Sequence, residues 1–144
     1  MESKGRLAKL ESLISQNKGI GSDRLQGLVF IAQALGESYG YDFDVHHLRV
    51  FSLALESDIE LLLTQGIAEK FETSEISKLV TNTMQSATIE QIEATAAFFY
   101  FEQKGYASAD IEKALNADEN VISGTRKLVE ELKKLGTKEL AGVS

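Results

Sequence analysis

Leu7, Leu10, Leu13 and Ile14 recur at the three-to-four-residue spacing of one helix face, which predicts a first helix over Ser3–Gln16. After a break at 17–21, Leu25, Leu28, Val29, Ala32 and Leu35 form a second stripe. Phe30 and Ile31 widen it, as expected of a central, largely buried helix, with Ser22 or Asp23 as its cap. Tyr41, Phe43 and Val45 then alternate with Asp42 and Asp44, the period-two pattern of a half-buried strand. Ser52 is placed to cap a third helix reaching Gln65, with Leu55, Ile59, Leu62 and Leu63 turned inward. Gly66 supplies a stop, and Ile67–Glu72 alternates again as a second short strand. Helix, strand, helix and strand across Asp23–Glu72 predict a winged-helix-like N-terminal half.

The pattern weakens over Thr73–Met84, read as a fourth helix from Thr73 or Ser74. Thr88-Ile-Glu-Gln91 has capping-box spacing and opens a fifth helix to about Lys104. Its Phe98, Phe99, Tyr100 and Phe101 circle the helix, which leaves two readings of equal weight: at least one leaves the core and forms a partner interface, or the helix is central and buried on all sides. Ser108–Leu115 predicts a short helix and Glu119–Leu135 a long one striped with Val121, Ile122, Leu128, Val129 and Leu132. The expected organisation is one domain over residues 1–136 and a flexible tail over 137–144.

Composition narrows the picture. The 144 residues contain no cysteine, which excludes disulfides, thiolate metal sites and cysteine nucleophiles. They contain no proline, so Gly, Asn, Asp and Ser must make the turns. No apolar run reaches the ~18 residues that suggest a membrane span. Met1–Arg6 leads into an amphipathic pattern rather than the apolar core of a secretion signal, so a soluble cytoplasmic protein is expected.

The net charge of −7 is uneven. Residues 1–20 carry +2 and residues 21–72 carry −6. A nucleic-acid binder shows a basic footprint, and the middle of this chain repels phosphate. A backbone contact would have to use the terminal helices, through Arg6, Lys9, Arg126 and Lys127.

Candidate chemistry is sparse. The chain has no Gly-x-Ser-x-Gly elbow, phosphate loop, His-Glu-x-x-His or GxGxxG. Neither an enzyme nor a cofactor is expected. Asp42, Asp44 and His46 share one face of the predicted strand and form the best metal-capable set, but the favoured reading has one of His46 and His47 packed on the core and the other solvated, with no metal. The Ser108–Leu135 pair has a helix-turn-helix outline, although Asp118 and Glu119 stand where base-reading residues would be needed.

The Leu25–Gln33 helix, Tyr41-Asp-Phe, Phe51-Ser52, Glu56–Leu63 and Gly66-Ile67 together resemble the uncharacterised YwgA-like bacterial and archaeal group. That group is distantly similar to SocA-like, Panacea-domain antitoxins. The resemblance covers most of the chain and implies a helical, winged-helix-like fold with regulatory or toxin-neutralising work. It implies no catalytic residues. Leu48-Arg49-Val50 stands where the group has Tyr-Gly-Pro, so this loop departs from the pattern.

The expectation is therefore a mainly α, single-domain protein with a small β element. Its expected role is non-catalytic binding or regulation through a protein partner or as a homodimer, without membrane insertion. The alternative is a DNA-binding regulator of winged-helix or helix-turn-helix type.

Overall fold

The computed structural model describes residues 2–17, 21–37, 39–46, 49–65, 75–115 and 118–143, with side chains for all of these except 2–6, 8, 65 and 137–143. Its described elements are α1 (Glu2–Gln16), α2 (Ser22–Ala34), β1 (Asp44–His46), β2 (Arg49–Phe51), α3 (Leu53–Gln65), α4 (Glu75–Thr83), α5 (Ile89–Gln103), α6 (Ser108–Leu115) and α7 (Glu119–Val143). The protein is mainly helical, with one two-stranded antiparallel sheet among the described residues.

α2 is the centre. Every residue from Leu25 to Ala32 is buried, so the helix has no solvent face over two turns. It packs on α5, which packs in turn on α7. Gly27 makes the first contact close: a Cβ there would stand 2.6 Å from the Ile92 Cγ2 methyl and 3.9 Å from the Ala96 Cβ.

Both helices end in the same way. At α2 the Gly36 N–H donates to the Gln33 carbonyl and the Glu37 N–H to the Ala32 carbonyl. At α5 the Gly105 N–H donates to Glu102 and the Tyr106 N–H to Phe101. These are Schellman closures, in which a left-handed residue satisfies the last carbonyls. Gly36 and Gly105 supply it with φ of 114° and 96°. The second closure brings its own apolar contact, Phe101 against Tyr106 at 5.6 Å between ring centroids. The capping box at the start of α5 forms as the spacing predicts, with the Gln91 N–H donating to Thr88 Oγ1 and the Thr88 N–H to Gln91 Oε1.

Several expectations are corrected. α2 begins on Gly21 with no side-chain cap, because Asp23 pairs with Arg49 instead. β1 covers Asp44–His46 rather than Tyr41–Val45, because the Tyr41 backbone bonds a side chain of α2. Its partner strand is Arg49–Phe51, the segment read as a turn, while the expected strand at Ile67–Glu72 lies outside the described residues. Leu63 is 67% exposed, since Leu55, Ile59 and Leu62 already form the inward stripe. α7 continues beyond Leu135 to Val143: Gly136 is buried within it, facing Leu35, and no proline follows.

Tyr39 is buried with its hydroxyl 3.1 Å from Ser77 Oγ, joining the segment after α2 to α4. Burial pushes its phenol up to about 12; the Ser77 hydrogen bond opposes the shift and Glu37 adds to it. Folding thus favours the protonated phenol. Its contribution is fully present below the unfolded pKa of about 10 and is lost as pH rises through about 12. Tyr39→Phe is expected to flatten the decline in stability between about pH 10 and pH 12, as followed by urea unfolding. An identical decline in both proteins would refute the assignment.

A second test concerns the helix contact. Gly27→Ala gains up to about 1 kcal/mol of helix propensity. The Ile92 methyl must then move within a packed core, at a cost of roughly 1–3 kcal/mol. A net loss in urea unfolding is expected, and with Ile92→Ala, which removes that methyl, the double variant is expected to lose less than the sum of the two single losses.

Candidate functional site

Two glutamines of α2 build the site. Gln26 Nε2 donates to the Ser52 carbonyl at 3.0 Å, and the Ser52 N–H donates to Gln26 Oε1 at 2.9 Å. Gln33 repeats the arrangement with Tyr41: Nε2 to the carbonyl at 2.8 Å and the Tyr41 N–H to Oε1 at 3.0 Å. Each side-chain amide satisfies both backbone groups of one residue, as a neighbouring strand would. The glutamines are two helical turns apart on one face, and the residues they hold flank the hairpin on either side. Tyr41 is further held by its hydroxyl, which donates to Asp58 Oδ2 at 2.7 Å. Ser52 Oγ accepts from the Leu55 N–H at 3.2 Å, the cap expected for α3.

The register then decides which side chains lie together. Asp44 pairs with Phe51, Val45 with Val50 and His46 with Arg49. Val50 is buried, while Asp44, His46, Arg49 and Phe51 share the other, exposed face. Arg49 reaches back to the helices, pairing with Asp23 of α2 at 2.8 Å and with Glu93 of α5. Between hairpin, α2 and α5 lies a cavity of about 370 Å³. Among the described residues, Gly27, Val50 and Phe51 provide its apolar wall, and Asp23, Asp44 and Glu93 bring three carboxylates to it against the guanidinium of Arg49. Asp44 and Phe51 also border a second hollow, continued by Leu53 and Ala54. The exposed side chains of Phe51 and Leu53, at 42% and 73%, therefore form a ridge beside two hollows.

The sequence-predicted residues fall elsewhere. Phe98 and Phe99 are buried in the chain's own core. Tyr100 and Phe101 are half-buried: Tyr100 meets Phe30 with ring centroids 6.0 Å apart, and Phe101 meets Tyr106 in the helix closure. These contacts place the four aromatics within the monomer's own packing. Arg6 lies on α1, where its side chain is not described. Lys9 pairs with Glu37 at 3.3 Å. Arg126 binds Glu112 of α6 through two nitrogens, at 3.0 and 2.6 Å. This hydrogen-bonded pair holds the Glu112 carboxyl below the usual carboxylate range and raises Arg126 further. Lys127 is exposed. At the start of α7, Asp118 Oδ1 accepts from the Asn120 N–H at 2.8 Å, so a carboxylate caps the end that would have to read bases.

Asp42, Asp44 and His46 are all exposed, and the described residues contain no group of three or more His, Cys, Asp or Glu arranged to hold a metal. Sequence reasoning missed the cavity. The signals available were the two glutamines within the otherwise apolar run Leu25–Ala34 and Arg49 alone in an acidic stretch.

Gln26→Leu leaves the buried Ser52 N–H and carbonyl without their partner. A loss of about 2–4 kcal/mol is expected in urea unfolding, with faster hydrogen exchange at the Ser52 amide. A loss below about 1 kcal/mol with unchanged exchange would show that this bracket does not hold the hairpin.

No described helix is long and apolar enough to cross a membrane. No family model, curated protein or solved structure matches this chain.

Proposed function

We propose that this chain is a non-catalytic binding or regulatory protein that works through protein contacts, and that its contact surface is the Phe51–Leu53 ridge. The exposure of these two apolar side chains on either side of buried Ser52 carries the reading. Scattered exposed apolar residues are ordinary, whereas a contiguous patch marks an interaction site. Phe51 and Leu53 are two of the four large apolar residues exposed among the described residues, and both line the same hollow. Covering a Phe or Leu side chain fully is worth roughly 1.5–3 kcal/mol, so this short ridge can anchor a partner. Its backbone is held by Gln26, which limits the ordering cost of binding. A regulatory role through a partner is also what the resemblance to the YwgA-like group implies.

DNA binding is the weaker reading. Lys9 and Arg126 already have acidic partners, and α7 opens on a capping carboxylate.

A photo-crosslinking amino acid at position 53, introduced in cells of the source organism, is expected to give a discrete adduct. The same group at exposed Ala109 on α6 is expected to give none, and Phe51→Ser is expected to reduce the adduct at position 53. No adduct from position 53, or the same bands from both positions, would overturn the proposal. In parallel, the protein is expected not to shift duplex DNA at micromolar concentration and low salt. A shift that collapses with salt and weakens in Lys127→Ala would favour the DNA reading instead.

A further inference from the structure

We infer that the cavity beside Arg49 is the pocket for a Lys or Arg side chain of the partner, so that the ridge recognises a basic amphipathic segment. This inference rests on the reading of Phe51 and Leu53 as a contact surface.

The volume of about 370 Å³ lies in the range that holds a small organic group, roughly 300–1,000 Å³. The lining suits a long basic side chain in both its parts. Gly27, Val50 and the Phe51 ring offer apolar surface to the aliphatic stem. Asp44 offers a carboxylate to the charged head, and no described residue pairs with that carboxylate. The cavity already accommodates one guanidinium, since Arg49 lies against Asp23 and Glu93 there. Among the described lining residues, three carboxylates stand against one guanidinium, so these four groups sum to −2. An anionic group entering would meet that field and would have to displace one of Arg49's partners. A cation meets Asp44 directly.

The geometry also links pocket and ridge. Asp44 and Phe51 are cross-strand partners and border both hollows. An aliphatic residue of the partner on Leu53 and a basic residue beside it would therefore engage the two features together. Charge argues against a second copy of this chain on the same face. Among the described residues this face carries three carboxylates against one guanidinium, and a two-fold contact would oppose that face to itself.

The test uses the full chain and two fluorescein-labelled amphipathic helical peptides of equal length, one of leucine and lysine, the other of leucine and glutamate. Fluorescence anisotropy is expected to show the leucine–lysine peptide binding at least tenfold more tightly. Asp44→Asn, an exposed substitution, is expected to weaken that binding at least threefold, and Leu53→Ser by a similar factor. Asp110→Asn, on exposed α6, is expected to leave it unchanged. Equal binding of the two peptides, or equal losses in Asp44→Asn and Asp110→Asn, would overturn the inference, because general charge attraction would then suffice. Weakening by Leu53→Ser alone would overturn the pocket and keep the ridge. Weakening by Asp44→Asn alone would keep a cation pocket and remove the ridge on which the proposed function stands.

Discussion

The hairpin is too small to hold itself. Two strands of three residues each share few ladder hydrogen bonds, and an isolated hairpin is marginal at best in water. What fixes it is the pair of side-chain amides from α2, which bracket it at Tyr41 and Ser52. An amide group carries a donor and an acceptor close together, as a peptide group does, so a glutamine can stand in for a strand neighbour. The Ser52 pair is buried, where the penalty for an unmade hydrogen bond is largest. The rest of the candidate site depends on this constraint: the face presented by Asp44, His46, Arg49 and Phe51, the projection of Leu53, and the space between the hairpin and α5.

α2 serves two purposes that constrain each other. Its apolar residues and Gly27 bring it against Ile92 and Ala96 of α5, and Gln26, the residue before Gly27, faces the hairpin. A shift of α2 to relieve crowding at Gly27 would also move Gln26. Arg49 closes the arrangement from the hairpin side by pairing with one carboxylate on each helix. These ion pairs are partly exposed, so their value lies more in orientation than in stability. Core packing therefore locates the two helices, the buried amide bonds locate the hairpin on them, and the charge pairs set the margin of the cavity.

The aromatic run of α5 shows how an exposed-looking motif becomes internal. Four aromatics in one helical turn and its neighbour point in different directions, which suggests a surface when the helix is considered alone. In the fold α5 is covered on several sides: Phe98 and Phe99 join the core, Tyr100 lies near Phe30, and Phe101 meets Tyr106. Of the four large apolar residues exposed among the described residues, Tyr106 follows α5, while Phe51, Leu53 and Leu63 lie in a stretch whose sequence signal is acidic and amphipathic.

Helical content, the bounds of α1, α5 and α6, the Thr88–Gln91 capping box and the Ser52 cap were legible in the sequence. Each depends on interactions between residues a few positions apart. Tertiary structure alone decided where Gln26 and Gln33 would spend their amides, because a polar residue on an apolar helix does not specify its partner. It also decided that Asp23 would pair with Arg49 rather than cap α2, and that Arg49–Phe51 would be a strand rather than a turn. The candidate site belongs wholly to this second class. Its residues come from α2, the hairpin and α5, and Arg49 joins Asp23 and Glu93, two residues 70 positions apart in the chain. Local periodicity carries no information over that distance, and packing must first bring the segments together before their charges and hydrogen-bonding groups can pair.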